Sequence, residues 1–320
     1  MKHLKFGLVG NLRAIALFLV INNLAFGAAT AGHASPRPEA DRQARTEIVF
    51  TDSQAAILKA STSVRGAQVV ASGQRLDQPF GISIRANGEY LVTDTGCMAL
   101  IGVNPATGSQ RVVSSGGILG VPFGIAIERN GSALVANGAA LLRIDPETGA
   151  QSVASSGGLF RAPIAVAVGA NGTIFVADIL GSIIQVDPRT GAQTMVATGG
   201  FLKRPQGLAV RGQDIYVTDV GTSDGNFGVG RVLHINARTG EQTILAEGAN
   251  LVGPVGISIL ANGALVVADP YTINEDSPTL FDGGIILVNS SNGNQTLLAR
   301  GQEGFVNPRC VSVLKFSAVE

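Results

Sequence analysis

The sequence predicts an all-β chain folded as a six-bladed β-propeller, with four antiparallel strands per blade and a ring closed by the two ends of the chain sharing one blade. Three observations carry the prediction. The first is a short code that comes after a proline six times, at Pro79, Pro122, Pro163, Pro205, Pro254 and Pro308. The second and fourth residues after each proline are small: Gly81/Ser83, Gly124/Ala126, Ala165/Ala167, Gly207/Ala209, Gly256/Ser258 and Cys310/Ser312. The third and fifth are aliphatic: Ile82/Ile84, Ile125/Ile127, Val166/Val168, Leu208/Val210, Ile257/Ile259 and Val311/Val313. Period-two alternation of this kind is a strand with one aliphatic face and one face of minimal volume. A unit that recurs at this spacing is the mark of a repeat architecture, and four short strands per unit make a propeller blade.

The second observation is a fixed succession of turn and strand signals after each of these first strands. Asn87-Gly88, Asn130-Gly131, Asn171-Gly172 and Asn262-Gly263, with Gly212-Gln213 once in their place, supply the positive φ angles of a two-residue hairpin. Second strands then end in Asp94, Asn137, Asp178, Asp219 and Asp269, and third strands run to Asn104, Asp145, Asp187, Asn236 and Asn289. Each of the latter opens a turn closed by Gly108, Gly149, Gly191, Gly240 or Gly293, after which Gln110, Gln151, Gln193, Gln242 or Gln295 begins a fourth strand. These glutamines fall at the outer edge of each blade and read as part of the blade itself.

The third observation is arithmetic at the ends. Ile48–Asp52, Ile57-Leu58 and Gln68–Val70 match a second, third and fourth strand with no first strand before them, while Pro308–Val313 is a first strand with nothing after it. Joined, they complete a sixth blade and leave no open sheet edge in the ring. The small-residue face then has a reason, since radially arranged sheets converge on the axis.

Composition agrees. The 42 glycines and 14% charged residues suit a turn-rich globular all-β chain, and 23 basic against 23 acidic residues leave no global field to draw the protein to nucleic acid or an anionic membrane. At the N-terminus, Lys2, Lys5 and Arg13 precede an apolar run from Ala14 to Ile21 and a small-residue stretch from Ala28 to Ala34. That pattern predicts a signal peptide over residues 1–34, too short and too interrupted to span a bilayer, and hence a secreted or periplasmic protein. A polar linker over 35–46, the propeller over 47–316 and a tail over 317–320 complete the expected organisation, with a monomer as the expected state.

The succession Pro-x-Gly-Ile-Ala-Val, Asn-Gly, Val-Ala-Asp and Asp-Pro-x-Thr-Gly resembles the NHL-repeat propellers and the similar streptogramin-lyase-like and gluconolactonase-like propellers, across residues 47–316. The resemblance implies the fold; such propellers serve as lyases, lactonases or binding scaffolds, so it implies no single chemistry. Streptogramin lyases use histidines with a glutamate and magnesium, and hydroxyglycine lyases use zinc held by histidines. This chain has only His3, His33 and His234, the first two in or beside the signal peptide. Lactonase-like propellers hold a metal with glutamate, asparagine and aspartate, for which the matching positions here offer Asn307 and the strand-end aspartates.

Loops entering first strands and loops joining second to third strands share one face of the disc, and a ligand is expected there. Two of the latter are long: Val220–Gly230, with Asp224, Asn226 and Phe227, and Pro270–Gly284, with Tyr271, Asn274, Glu275, Asp276 and Asp282. The second-strand ends form a ring of Asp52, Asp94, Asn137, Asp178, Asp219 and Asp269, which either closes turns within each blade or offers oxygens to a divalent cation such as calcium or magnesium. Asp178, Asp219 and Asp269 are the catalytic candidates. Positions flanking the prolines break the repeat: Arg204, Gln206, Asn307 and Arg309 make a polar sector opposite Phe80 and Phe123, an entrance suited to a small organic molecule or a peptide end. With Tyr271 these are the expected ligand contacts. Competing readings are a lyase or lactone hydrolase in the same pocket and a structural interaction platform. Cys97 and Cys310, one in the first complete blade and one on the closing strand, are either a disulfide that clasps the seam or two free thiols.

Overall fold

The computed structural model describes residues 46–62, 64–221, 229–274, 277–301 and 305–314. The expected signal peptide, the linker up to residue 45 and the 317–320 tail lie outside the described residues. The chain enters in mid-blade: β1 (Glu47–Asp52), β2 (Ala56–Ser61) and β3 (Val64–Ser72) are the second, third and fourth strands of a sheet. Blade 1 is β4 (Pro79–Ile84), β5 (Tyr90–Asp94), β6 (Ala99–Val103) and β7 (Gln110–Ser115). Blade 2 is β8 (Pro122–Ile127), β9 (Ala133–Asn137), β10 (Ala140–Ile144) and β11 (Gln151–Ser156). Blade 3 is β12 (Pro163–Val168), β13 (Ile174–Asp178), β14 (Ser182–Val186) and β15 (Gln193–Thr198). Blade 4 is β16 (Pro205–Arg211), β17 (Asp214–Asp219), β18 (Arg231–Asn236) and β19 (Gln242–Glu247). Blade 5 is β20 (Gly256–Ile259), β21 (Leu265–Asp269), β24 (Gly284–Val288) and β25 (Gln295–Arg300), with the small hairpin β22 (Ile273–Asn274) and β23 (Ser277–Phe281) set into its long loop. No repeat signal announces that hairpin.

The last strand, β26 (Pro308–Val313), pairs with β1 and completes the seam blade, matching Ile48 with Val313 and Phe50 with Val311. First strands pack in a closed circle, β4 on β8, then β12, β16, β20, β26 and back to β4. The ring closure expected from the chain ends is therefore the observed one.

Second strands are buried along almost their whole length because alternate residues serve two neighbours. Val92 packs toward the seam blade with Val49 and Ile57, whereas Leu91 packs toward blade 2 with Ile125 and Leu142. Each junction between blades carries its own apolar cluster, so the core is a set of inter-blade seams rather than one central mass.

The reason for the small residues is sharper than crowding at the axis. A Cβ on Gly81 would lie 2.6 Å from the Phe123 carbonyl oxygen, one on Gly207 2.2 Å from that of Val255, and one on Gly256 2.6 Å from Cys310 Cα. The missing room lies between neighbouring first strands. Buried threonines add hydrogen bonds across the same gaps: Thr51 Oγ1 donates to Phe80 O (2.6 Å), Thr218 Oγ1 to Val255 O (2.8 Å), and Thr93 Oγ1 to Phe123 O.

At the opposite face the Asp145 turn shows the rule for all five. Asp145 Oδ1 accepts the N–H groups of Glu147 (2.8 Å) and Thr148 (3.3 Å), and Gly149 sits at φ 73°, with its Cα hydrogens facing the Val113 carbonyl of blade 1. A side chain there fails on both counts, since its Cβ would lie 2.4 Å from that oxygen. The fourth-strand glutamines reach across the same junctions. Gln151 Oε1 accepts the N–H groups of Ile118 (2.9 Å) and Leu119 (3.1 Å), while its Nε2 donates to Ser114 Oγ (2.9 Å) and Gly116 O (3.0 Å). These glutamines are latches that fasten each blade to the loop arriving from the one before.

Candidate ligand-binding face

The ring of strand-end residues is buried, from 0% exposure at Asp94, Asp219 and Asp269 to 8% at Asn137. Its oxygens are turned onto backbone. Asp178 Oδ2 accepts from the N–H groups of Arg161 and Ala162 (both 2.7 Å) and Oδ1 from Leu180 (3.1 Å). Asp219 Oδ2 accepts from Lys203 and Arg204 (both 2.9 Å) and Oδ1 from Gly221 (2.7 Å). Asp269 accepts from Val252 (2.7 Å), Gly253 (3.0 Å) and Tyr271 (2.8 Å). Asp52 and Asp94 do the same for their own blades. In blade 2 the amide of Asn137 serves, with Oδ1 accepting from Gly120 and Nδ2 donating to Ile118 O. One carboxylate thus ties the loop entering its blade to the loop leaving its second strand. A divalent cation needs several oxygens free to coordinate it, and carboxylates already engaged by three or four N–H groups each do not fit one. Among the described residues no three His, Cys, Asp or Glu side chains are grouped to hold a metal.

Burial pushes the Asp269 carboxyl up to about 6, against the opposing pull of the N–H groups of Tyr271, Val252 and Gly253. It is the buried acid whose proton affinity stands out on this face.

Residues immediately after the prolines stand side by side around the axis in the order Arg309, Phe80, Phe123, Ile164, Gln206, Val255, as the inner-strand contacts dictate. Phe80 and Phe123 are half-buried and meet edge to face, centroids 5.4 Å apart at 78°, packed on the apolar cluster that includes Ile164. Gln206 and Arg309 are half-buried, Arg204 is exposed, and Val255 is buried between the two polar blades. Asn307 donates its N–H to Asp52 Oδ2 (2.7 Å) and accepts from Ser53 at its carbonyl (3.1 Å), yet its buried Oδ1 has no partner among the described residues. Tyr271 lies over Gly253, whose Cβ would be 2.6 Å from the ring, so the glycine before Pro254 leaves the space this ring fills. Asp224, Asn226, Phe227, Glu275 and Asp276 lie outside the described residues.

Both cysteines are free thiols, Cys97 exposed and Cys310 half-buried, so the disulfide alternative is absent and the seam is held by the β26–β1 ladder. Burial first, then the neighbouring Asp94, push Cys97 up to about 11, and Cys97 Sγ donates to Arg75 O (3.5 Å). His234 Nε2 meets Asp214 Oδ1 at 2.7 Å and its ring stacks obliquely on Tyr216, away from the loop-rich face.

Sequence reasoning missed a second feature of this face. Met98, Ile118, Val121, Leu180, Phe201, Val229 and Val306 are all exposed by 43% or more, and all sit on its loops. The available signal was an apolar residue inside a turn, where burial gives no reason for one.

No family model matches the chain, and no curated protein matches it. Solved structures do. A chain of a crystallised nidogen/laminin complex superposes with a TM-score of 0.68 at 13% identity, covering 84% of this chain and 98% of that one. Virginiamycin B lyase from Staphylococcus aureus gives a TM-score of 0.51 at 16% identity, with 69% of each chain covered. At such identities the likeness is one of fold, and the fold it shows is the six-bladed propeller.

Proposed function

We propose that this propeller is an exported recognition protein that binds a small organic molecule or peptide end bearing a carboxylate at the mouth of its loop-rich face. The observation that carries the reading is the asymmetry of a mouth built on a sixfold repeat: Phe80, Phe123 and Ile164 are consecutive, with Gln206 and Arg309 on the remaining arc. An apolar body rests on the phenylalanine edges while Arg309, and Arg204 from the far side of blade 5, meet the carboxylate. Asn307 and Tyr271 complete the proposed set of contacts. The N-terminal pattern of Lys2, Lys5, Arg13 and the apolar run supports export.

A thermal-shift screen of aromatic and aliphatic carboxylates, then titration calorimetry, tests it. Arg204→Ala with Arg309→Ala weakens a hit by roughly tenfold or more, the scale of a lost charge-assisted pair. Unchanged affinity in the double variant rejects the assignment.

A second reading, a lyase or lactone hydrolase in the same pocket, is favoured by the raised proton affinity of Asp269. Turnover of a lactone or cyclic peptide that Asp269→Asn abolishes, with folding intact, would establish it.

A further inference from the structure

Blades 3 and 4 bring three short loops together beside the mouth: residues 157–162, 179–181 and 199–204. Their contact is direct. Ile179 N donates to Ala162 O (3.0 Å), Gly199 N to Gly181 O (3.1 Å), and Gly181 approaches the Leu202 carbonyl so closely that a Cβ would be 3.1 Å from it. Arg161, Leu180, Phe201, Lys203 and Arg204 all emerge exposed from this junction. Leu180, 69% exposed, is the most exposed large apolar side chain among the described residues, and Phe201 is the only aromatic among the exposed ones.

The charge here is one-sided. The three loops contain no acidic residue, and Asp178 and Asp219 beneath them are buried with their oxygens on backbone N–H groups. None of the three cations has an ion-pair partner among the described residues, whereas Arg85, Arg111, Arg143 and Arg231 are each paired with a glutamate. The backbone carrying these side chains is already fixed. Asp178 holds Arg161 and Leu180, Asp219 holds Lys203 and Arg204, and Gln242 Oε1 accepts the Phe201 N–H at 2.9 Å. A ligand meeting them has little ordering cost to overcome.

We propose that this junction is a docking surface for an extended acidic segment of a partner protein, one whose apolar side chains cover Leu180 and Phe201 while its carboxylates meet Arg161, Lys203 and Arg204. Charge complementarity picks the partner. An anionic membrane is a poorer match, because three cations fall short of the cluster of roughly 4–8 that holds a peripheral protein to lipid, and nucleic acid asks for a basic stripe with stacking aromatics that a single Phe201 does not provide. The surface borders the mouth and shares Arg204 with it, so its test alters neither Arg204 nor Arg309.

Fluorescence anisotropy with the purified protein and three short labelled peptides decides the matter: one alternating Asp or Glu with Leu or Phe, one with its acids replaced by lysine, and one with its apolar residues replaced by serine. Only the first is expected to bind, more weakly as salt rises. Arg161→Glu with Lys203→Glu, and separately Leu180→Ser with Phe201→Ser, each raise its Kd by roughly tenfold, with thermal midpoints unchanged because all four side chains are exposed. Equal binding of the lysine peptide, or unchanged affinity in either variant, overturns the proposal. So does capture of phosphatidylserine vesicles or single-stranded DNA by a protein that ignores the acidic peptide.

Discussion

The two faces of the disc use the same residue types to opposite ends. On the face of hairpin turns, arginine and glutamate are spent on each other: Arg85 pairs with Glu89 and Glu147, Arg111 with Glu89, and Arg143 forks onto Glu128 at 2.6 and 2.8 Å while also reaching Pro188 O of the next blade. Burial works against the Glu89 carboxylate, but Arg111 and Arg85 outweigh it and hold its proton affinity low. On the loop-rich face the strand-end aspartates are withdrawn beneath the surface and bonded to backbone, leaving Arg161, Lys203, Arg204 and exposed apolar groups outermost where blades 3 and 4 meet. One pair, Arg231 with Glu247, lies at that end of blade 4. The difference teaches where folding has consumed the available chemistry and where it has left it for something else.

Removing one buried latch is the strongest way to break this contrast. Asp178→Ala strands three N–H groups under the loop-rich face and is expected to lower stability by about 4 kcal/mol. The loss appears in urea unfolding, with early hydrogen exchange confined to residues near 161, 162 and 180. An unchanged midpoint would mean that the ring does not hold this face together.

Acid sets the two faces against each other. Asp269 has its folded-state pKa raised to about 6, so its contribution is fully present below the unfolded value near 4 and is lost as pH rises through 6. The swing is about 3 kcal/mol for a shift of this size, and Asp269→Asn should remove that slope from a stability profile. Asp145 and Asp187, on the hairpin face, are held below the usual carboxylate range by the N–H groups of Glu147 and Thr148, and of Thr190 and Arg189, respectively. Their contribution runs the other way, present above the unfolded pKa and lost as pH falls through the folded one.

Smaller effects sharpen the picture. Thr218→Val leaves the Val255 carbonyl without its donor between blades 4 and 5 and should cost about 1–2 kcal/mol in denaturant. Glu128→Ala breaks the forked pair with Arg143 on the hairpin face, for about 1 kcal/mol and less in high salt. Replacing Arg161, Lys203 and Arg204 together with alanine should change stability by no more than about 0.5 kcal/mol. A large loss there would show that these cations support the fold and are not held free.

Much of this was legible in the residues. Pro-x-small-aliphatic strands, Asn-Gly hairpins and the divided sixth blade are local or arithmetical signals, and the ring results from them because a twisted array of such blades removes its edges by closing. The roles of Gln151, Thr218 and Gly207 were not legible. Each meets a partner some 30–50 residues away in the neighbouring blade, and a repeat pattern records that a residue recurs without recording what it touches. The Arg161, Leu180 and Phe201 surface was hidden for the same reason, being assembled from three successive loops that only the folded blades bring together.

By itself, then, the order of residues determined the blade, the number of blades and the way the circle is sealed, since periodicity, turn chemistry and strand count act within one unit. Tertiary structure alone decided which polar groups are consumed and which stand free. That choice depends on the gaps between blades, where an added Cβ, a bonded carboxylate or an unpaired cation differ by an ångström or two of approach.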